Sequence, residues 1–249
     1  MDVPTKREIT IMLLGHTGAG KSRTANNLLG DKVFKVGPGG TPITEKSRSQ
    51  AVERFDYRLH VIDTPGVWGE KVETEKLLIE IKKGLEIANE GVNVFLLVIE
   101  MGRAVDVHKI ALRYQCLFGK EMFKYAIILF TNLDVWRERF KDDNGIDPDE
   151  HQYIKSLPED VKSLLEDCGG RYVLFENKCT GDEMEKQLKN LMKKITERIA
   201  ISTDKAYTED MCERIDQTKE EPLRQGWKIP VVIVAGISAI AGFIIKKCL

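Results

Sequence analysis

Residues Gly15-His16-Thr17-Gly18-Ala19-Gly20-Lys21-Ser22 match the pattern G-x-x-x-x-G-K-[ST] in full, and this constrains the fold more than any other stretch of the chain. The apolar run Ile9-Thr10-Ile11-Met12-Leu13-Leu14 before it reads as a buried strand, and Ser22-Arg23-Thr24-Ala25-Asn26-Asn27-Leu28-Leu29 after it reads as the start of a helix. Those flanks argue against an ordinary glycine-rich turn. In a strand, tight loop and helix of this kind, successive backbone N–H groups converge on a phosphate, with the positive end of the helix behind them. Lys21 is then placed for the β- and γ-phosphates and the Ser22 hydroxyl for Mg²⁺. Gly15 through Arg23 is therefore the expected cradle of a nucleoside triphosphate.

The rest of the chain alternates apolar strand-like runs with amphipathic segments, the pattern of a parallel sheet covered on both faces. Strands are expected at Leu59 to Ile62, Val92 to Ile99, Tyr125 to Phe130 and Arg171 to Phe175. Leu77, Leu78, Ile81 and Leu85 recur at helical spacing, as do Val107, Ile110, Ala111, Tyr114 and Phe118, and Met184, Leu188, Leu191, Ile195 and Ile199. The fold class that follows is α/β, a P-loop NTPase with a doubly wound, mostly parallel sheet spanning residues 7–201. A formal net charge of −1 gives no basic footprint for nucleic acid. Five cysteines with no C-x-x-C pair read as reduced thiols of a cytosolic domain, and the first residues carry no apolar signal-peptide core.

Open α/β sheets bind ligands beyond the carboxyl ends of their strands, so the loops there carry the remaining expectations. Asp63-Thr64-Pro65-Gly66 follows one strand directly; Asp63 is placed to hold Mg²⁺ and the Gly66 N–H to meet the γ-phosphate. Thr44, preferred over Thr41 in the Gly/Pro-rich turn before it, is the expected mobile ligand of Mg²⁺ and the γ-phosphate. Thr131-Asn132-Leu133-Asp134 closes the next strand. A carboxylate at Asp134 can accept two guanine protons that adenine does not offer; its competing role is a helix N-cap. Asn177-Lys178 ends the last strand, where an asparagine or the backbone can reach the base.

The phosphate loop, Ile62-Asp63-Thr64-Pro65-Gly66, the box Phe95-Leu96-Leu97-Val98-Ile99-Glu100-Met101-Gly102-Arg103 and the stretch Cys168-Gly169-Gly170-Arg171-Tyr172 together resemble the GTPases of immunity-associated proteins. The resemblance covers about Arg7 to Ile201 and implies a GTPase domain like those of septins and chloroplast import receptors. It also implies Mg²⁺ with GTP or GDP as ligand, and nucleotide-dependent homo- or hetero-oligomers of related GTPases on membranes of vertebrate immune cells. His16 stands where lysine is frequent at that loop position, and Thr131-Asn132-Leu133-Asp134 resembles the N-K-x-D or T-K-x-D guanine signature with Asn132 where lysine usually stacks on the base.

Hydrolysis is expected to be slow in an isolated chain. Ras-like enzymes orient the attacking water with a glutamine just after Asp-x-x-Gly, whereas Val67 and Trp68 follow Gly66 here. By resemblance to the family box, Arg103 is the residue a partner subunit would supply to the γ-phosphate; its competing role is a surface arginine at a strand end. Thr44 and Arg103 are thus the catalytic candidates. The acidic run 141–150 misses the calcium-loop spacing and reads as a solvated loop, and His60, His108 and His151 have no ligand partner at metal spacing.

The C-terminal region carries a second signal. From Ile229 to Ile245 there is no charge, and the run is flanked by Trp227-Lys228 and Lys246-Lys247. At 1.5 Å per residue it spans about 26 Å, close to a thin bilayer's hydrocarbon core. Residues 227–249 are therefore expected to form a transmembrane helix, with 202–226 as a polar helical linker; a core helix is the alternative, but no uncovered sheet face remains for it. A tail anchor would leave the nucleotide domain on the cytosolic face of an intracellular membrane. Two functions stay open at this point: a membrane-tethered GTP switch or scaffold, and a turnover GTPase driving a transport or remodelling cycle.

Overall fold

Strand β1 (Glu8–Gly15) sends Ile9, Ile11 and Leu13 into one apolar layer and Met12 and Leu14 into the other, as a strand buried on both faces must. The computed structural model describes residues 6–37, 44–67, 75–102 and 107–212. Five further strands join β1: β2 (Arg48–Arg54), β3 (Tyr57–Asp63), β4 (Val94–Glu100), β5 (Ala126–Thr131) and β6 (Tyr172–Leu174). Their spatial order is β2-β3-β1-β4-β5-β6, parallel throughout except for the β2–β3 hairpin. The chain leaves β1 for β3 on one side and returns to β4 on the other. This places the switch point at the carboxyl end of β1, where the phosphate loop lies.

Helices cover both faces. On one, α1 (Lys21–Leu29) contributes Ala25 and Leu28, and α7 (Gly181–Ile201) contributes Leu188, Leu191, Ile195 and Ile199. On the other, α2 (Glu75–Ile87), α3 (Val107–Phe118), α5 (Glu150–Ser156) and α6 (Glu159–Asp167) pack their apolar stripes. The exposed α4 (Leu133–Asn144) follows β5 and ends at Gly145. The acidic run read as a loop is thus partly helical: its first residues close α4, and Asp149 caps α5 through a capping box.

Two expectations are corrected. β2 was not anticipated, because Arg-Ser-Gln-Ala-Val-Glu-Arg is a half-exposed edge strand without an apolar run; its place is set by pairing with β3. The domain boundary at 201 is also too early. Tyr207, fully buried, exchanges backbone hydrogen bonds with Val92 at 2.8 Å each way and packs edge-on against Phe95 and Tyr125. Arg198 reinforces this closure, donating to the carbonyls of Asn93 at 2.7 Å and Lys205 at 3.0 Å beneath the Tyr125 ring. Cys212 belongs to the same core, so the packed chain reaches at least that residue. Among the described residues no helix is long and apolar enough to cross a membrane. The predicted anchor at 227–249 and the linker beyond Cys212 lie outside the described residues.

Candidate functional site

The loop after β1 turns where only glycine fits. Gly15 has φ +149°, and a Cβ there would meet the Val98 carbonyl oxygen at 2.2 Å. The backbone then arches over Lys21, whose side chain curls into the loop and donates to the carbonyls of His16 at 2.9 Å and Gly15 at 3.2 Å. Only 6% of Lys21 is exposed. Burial depresses its pKa to about 8, against the pull of Asp63 in the other direction. A buried cation facing backbone carbonyls gains most from an arriving polyanion. Gly18, Ala19 and Gly20 complete the arch, with Gly20 in the left-handed conformation at the N-terminus of α1. Arg23 is exposed on the first turn of that helix.

Beside Lys21 three oxygen-bearing side chains from three separate segments converge. The Ser22 hydroxyl donates to Asp63 Oδ2 at 2.6 Å, Thr44 donates to the same oxygen at 3.3 Å, and the two hydroxyls stand 3.2 Å apart. Asp63 Oδ1 is buried with no hydrogen-bond partner among the described residues. Burial raises the Asp63 carboxyl pKa, while the Ser22 hydrogen bond and Lys21 lower it. An all-oxygen donor set with one unsatisfied carboxylate oxygen fits a hard divalent cation such as Mg²⁺. Thr41 lies outside the described residues.

The segment after Asp63 lies directly on the phosphate loop. The Thr17 hydroxyl donates to the Gly66 carbonyl at 3.1 Å, the Thr17 N–H to the Val67 carbonyl at 3.0 Å, and the Val67 N–H to the Gly15 carbonyl at 3.2 Å. A Cβ on Gly66 would meet the Thr17 nitrogen at 2.5 Å and Lys21 Nζ at 2.7 Å, so the close approach requires glycine. Val67 itself is 0% exposed and points into the core, away from any position that could orient water. Trp68 and Arg103 lie outside the described residues.

The loops after β5 and β6 meet at the other end of the site. Asn132, and not Asp134, is the N-cap residue of α4, which removes the capping role considered for the aspartate. Asp134 sits in the first turn, partly exposed, and accepts from Lys178 Nζ at 3.0 Å. Thr131 turns inward, its hydroxyl donating to the Ala19 carbonyl at 2.8 Å. The Asn177 carboxamide oxygen accepts from Thr24 at 3.2 Å and Asn27 at 3.0 Å, so this side chain braces the last strand against α1.

Two residues escaped sequence reasoning. Tyr114, read there only as one member of an apolar stripe, receives the Gly15 N–H at 2.8 Å and donates to the Gly15 carbonyl at 3.0 Å. Its hydroxyl was the available signal, since a buried tyrosine needs a polar partner. Glu100, read as part of the family box, stands between the phosphate loop and Asn132.

The sheet order, the phosphate loop at the switch point and the Asp63 segment laid against it define a P-loop G-domain fold. The chain belongs to the AIG1 family, whose model matches residues 9–226. It is 33% identical over 220 residues to GTPase IMAP family member 8 of Mus musculus, covering 86% of this chain and 30% of that protein. With Immune-associated nucleotide-binding protein 4 of Arabidopsis thaliana it shares 32% identity over 222 residues, covering 88% of this chain and 66% of the relative. The chain thus spans under two thirds of either relative's length. Among solved structures, Toc33 of Arabidopsis thaliana in complex with GDP and Mg²⁺ matches with TM-score 0.58 at 24% identity, over 77% of this chain and 84% of that one. A second structure is described under the statement that dimerization is important for the GTPase activity of the chloroplast translocon components atToc33 and psToc159. It matches with TM-score 0.52 at 23% identity, over 81% of this chain and 86% of that one.

Proposed function

We propose that this protein binds GTP and GDP with Mg²⁺ and acts as a membrane-tethered switch or scaffold that self-assembles in the GTP state and hydrolyses GTP slowly or on assembly. The observation that carries the reading is the convergence of Ser22, Thr44 and Asp63 oxygens beside a buried Lys21, at the mouth of a complete phosphate loop. Ser22 and Thr44 would ligate the cation, Asp63 would hold it directly or through water, and Lys21 would bridge the β- and γ-phosphates. Asp134 would select guanine, exchanging its exposed contact with Lys178 for the base. The solved relatives bind GDP and Mg²⁺, which accords with that ligand set.

Slow hydrolysis follows from Val67: a side chain fully inside the core cannot orient water, so the missing group must come from elsewhere. The importance of dimerization for GTPase activity in the chloroplast relatives supports a partner subunit as its source, with Arg103 as the candidate residue. Tethering to the cytosolic face of a membrane rests on the uncharged run 229–245. A turnover GTPase driving a transport cycle is the second reading, and Val67 weighs against it.

The full chain in detergent micelles, titrated with fluorescent GTP, GDP and ATP in Mg²⁺, tests the binding claim. GTP and GDP should bind at least about 10²-fold tighter than ATP. Single-turnover hydrolysis followed against protein concentration separates the two functions, since assembly-dependent chemistry must accelerate as the chain is concentrated. Equal binding of ATP would sink the guanine reading, and a fast, concentration-independent rate would favour the turnover enzyme.

A further inference from the structure

His16 of the phosphate loop and Asn132 of the base loop face the same carboxylate. His16 Nε2 lies 3.6 Å from Glu100 Oε2, and the Asn132 amide donates to Glu100 Oε1 at 2.8 Å. Topology brings the three together: His16 follows β1, Glu100 ends β4 and Asn132 follows β5, and these strands are neighbours in the sheet. β1 is paired with β4 from Ile11 and Val94 to Gly15 and Val98, and β4 with β5 to Glu100 and Thr131. Glu100 therefore emerges at the carboxyl edge between the other two.

Asn132 occupies the left-handed region with φ 62° and ψ 39°, which asparagine tolerates better than most residues. It is the N-cap of α4 without a side-chain capping hydrogen bond, and its amide nitrogen donates to Glu100. One half-buried carboxylate thus accepts a hydrogen bond from the loop that would select the base with one oxygen and lies 3.6 Å from His16 of the loop that would grip the phosphates with the other, a separation that becomes an ion pair when the imidazole is protonated.

We infer that Glu100 is a positioning residue that couples the phosphate loop to the base loop, so that the two halves of a guanine nucleotide are gripped as one unit. The inference rests on the nucleotide reading above and adds the residue that sets the distance between its two subsites. Glu100 touches no reacting atom; it acts through His16 and Asn132.

The test is a mutant cycle on the full chain in detergent, reading the dissociation constant of fluorescent GDP in Mg²⁺. His16→Ala and Asn132→Ala should each weaken binding, and the double variant should be no weaker than the worse single one, because both cut the same link. Glu100→Ala should weaken binding about tenfold, and in its background either substitution should change affinity less than about twofold. Glu100→Gln keeps an acceptor for the Asn132 amide and should recover most of the loss, which a merely structural requirement for charge would not allow. Multiplying effects of His16→Ala and Asn132→Ala, or a Glu100→Ala chain with wild-type affinity, would overturn the coupling while leaving the nucleotide reading intact. If Glu100→Ala does not fold, the His16 and Asn132 cycle with Glu100→Gln decides by the same criterion. A wild-type chain that binds no GDP would overturn the nucleotide reading, and the coupling with it.

Discussion

The Tyr114 hydroxyl holds both polar backbone groups of Gly15, accepting from its N–H at 2.8 Å and donating to its carbonyl at 3.0 Å. This contact joins the middle of α3 to the residue at which β1 becomes the phosphate loop. The same carbonyl receives Lys21 Nζ and the Val67 N–H, so Gly15 is the point where helix, lysine and the Asp63 segment meet. Replacing Tyr114 by Phe takes from the Gly15 N–H its hydroxyl acceptor, while the carbonyl keeps Lys21 and Val67, and should lower stability by about 1–3 kcal/mol in denaturant unfolding. An unchanged unfolding midpoint would mean that the loop keeps its shape without α3.

Inserting the glutamine that Ras-like enzymes carry should not rescue hydrolysis. In Val67→Gln the amide would enter a fully buried apolar site, because the Val67 backbone is pinned to Gly15 and Thr17. A loss of roughly 1–3 kcal/mol is expected, with no gain in single-turnover rate. A Val67→Gln chain that is as stable as wild type and hydrolyses faster would show that the segment can re-aim its side chain toward the nucleotide.

The closure of the domain by its last described residues gives a stability prediction. Tyr207 is fully buried among Phe95, Phe118 and Tyr125, and Tyr207→Ala should cost about 3–5 kcal/mol, the range for removing a large buried aromatic side chain. A chain cut after Ile201 should be destabilised at least as much, whereas one cut after Cys212 should retain the wild-type unfolding transition of the domain. Equal stability of both truncations would restore the boundary at 201.

Burial pushes the Cys168 thiol up to about 12, from an ordinary value near 9. Because the folded form keeps its proton where the unfolded chain loses it, this group's stabilising contribution is complete below pH 9 and is lost progressively as pH rises above it. Cys168 should resist alkylation by iodoacetamide at pH 8 in the native state, and Cys168→Ala should flatten the fall in stability on the alkaline side. Native-state alkylation of Cys168 as fast as that of the partly exposed Cys116 would show that the core opens there.

The fold was legible where burial dictates composition. β1, β4 and β5 are nearly continuous apolar runs because helices cover both their faces, β3 is apolar only at Leu59, Val61 and Ile62, and the stripes of α2, α3 and α7 follow from the same layers. β2 was illegible because an exposed edge strand is specified by its partner's backbone and not by its own side chains. Of the site, Ser22, Thr44 and Asp63 could be named one by one from three separate loops, but that their oxygens converge at Asp63 Oδ2 is set by the fold. Tyr114, Glu100 and Asn177 were not readable in their bracing roles, since each acts across tens of residues of chain through a contact that only the sheet order creates.

Guanine selection by Asp134 is the claim on which the account most depends, and base preference in the Asp134→Asn variant tests it most directly. The wild-type chain should prefer GTP over XTP, and the variant should lose affinity for GTP and gain it for XTP, reversing the ratio by a factor of about 10² or more. The reversal follows because an amide presents a donor where the carboxylate accepted from guanine. A variant that keeps the wild-type GTP to XTP ratio would contradict the assignment of the base site, and with it the reading of this chain as a guanine-nucleotide switch.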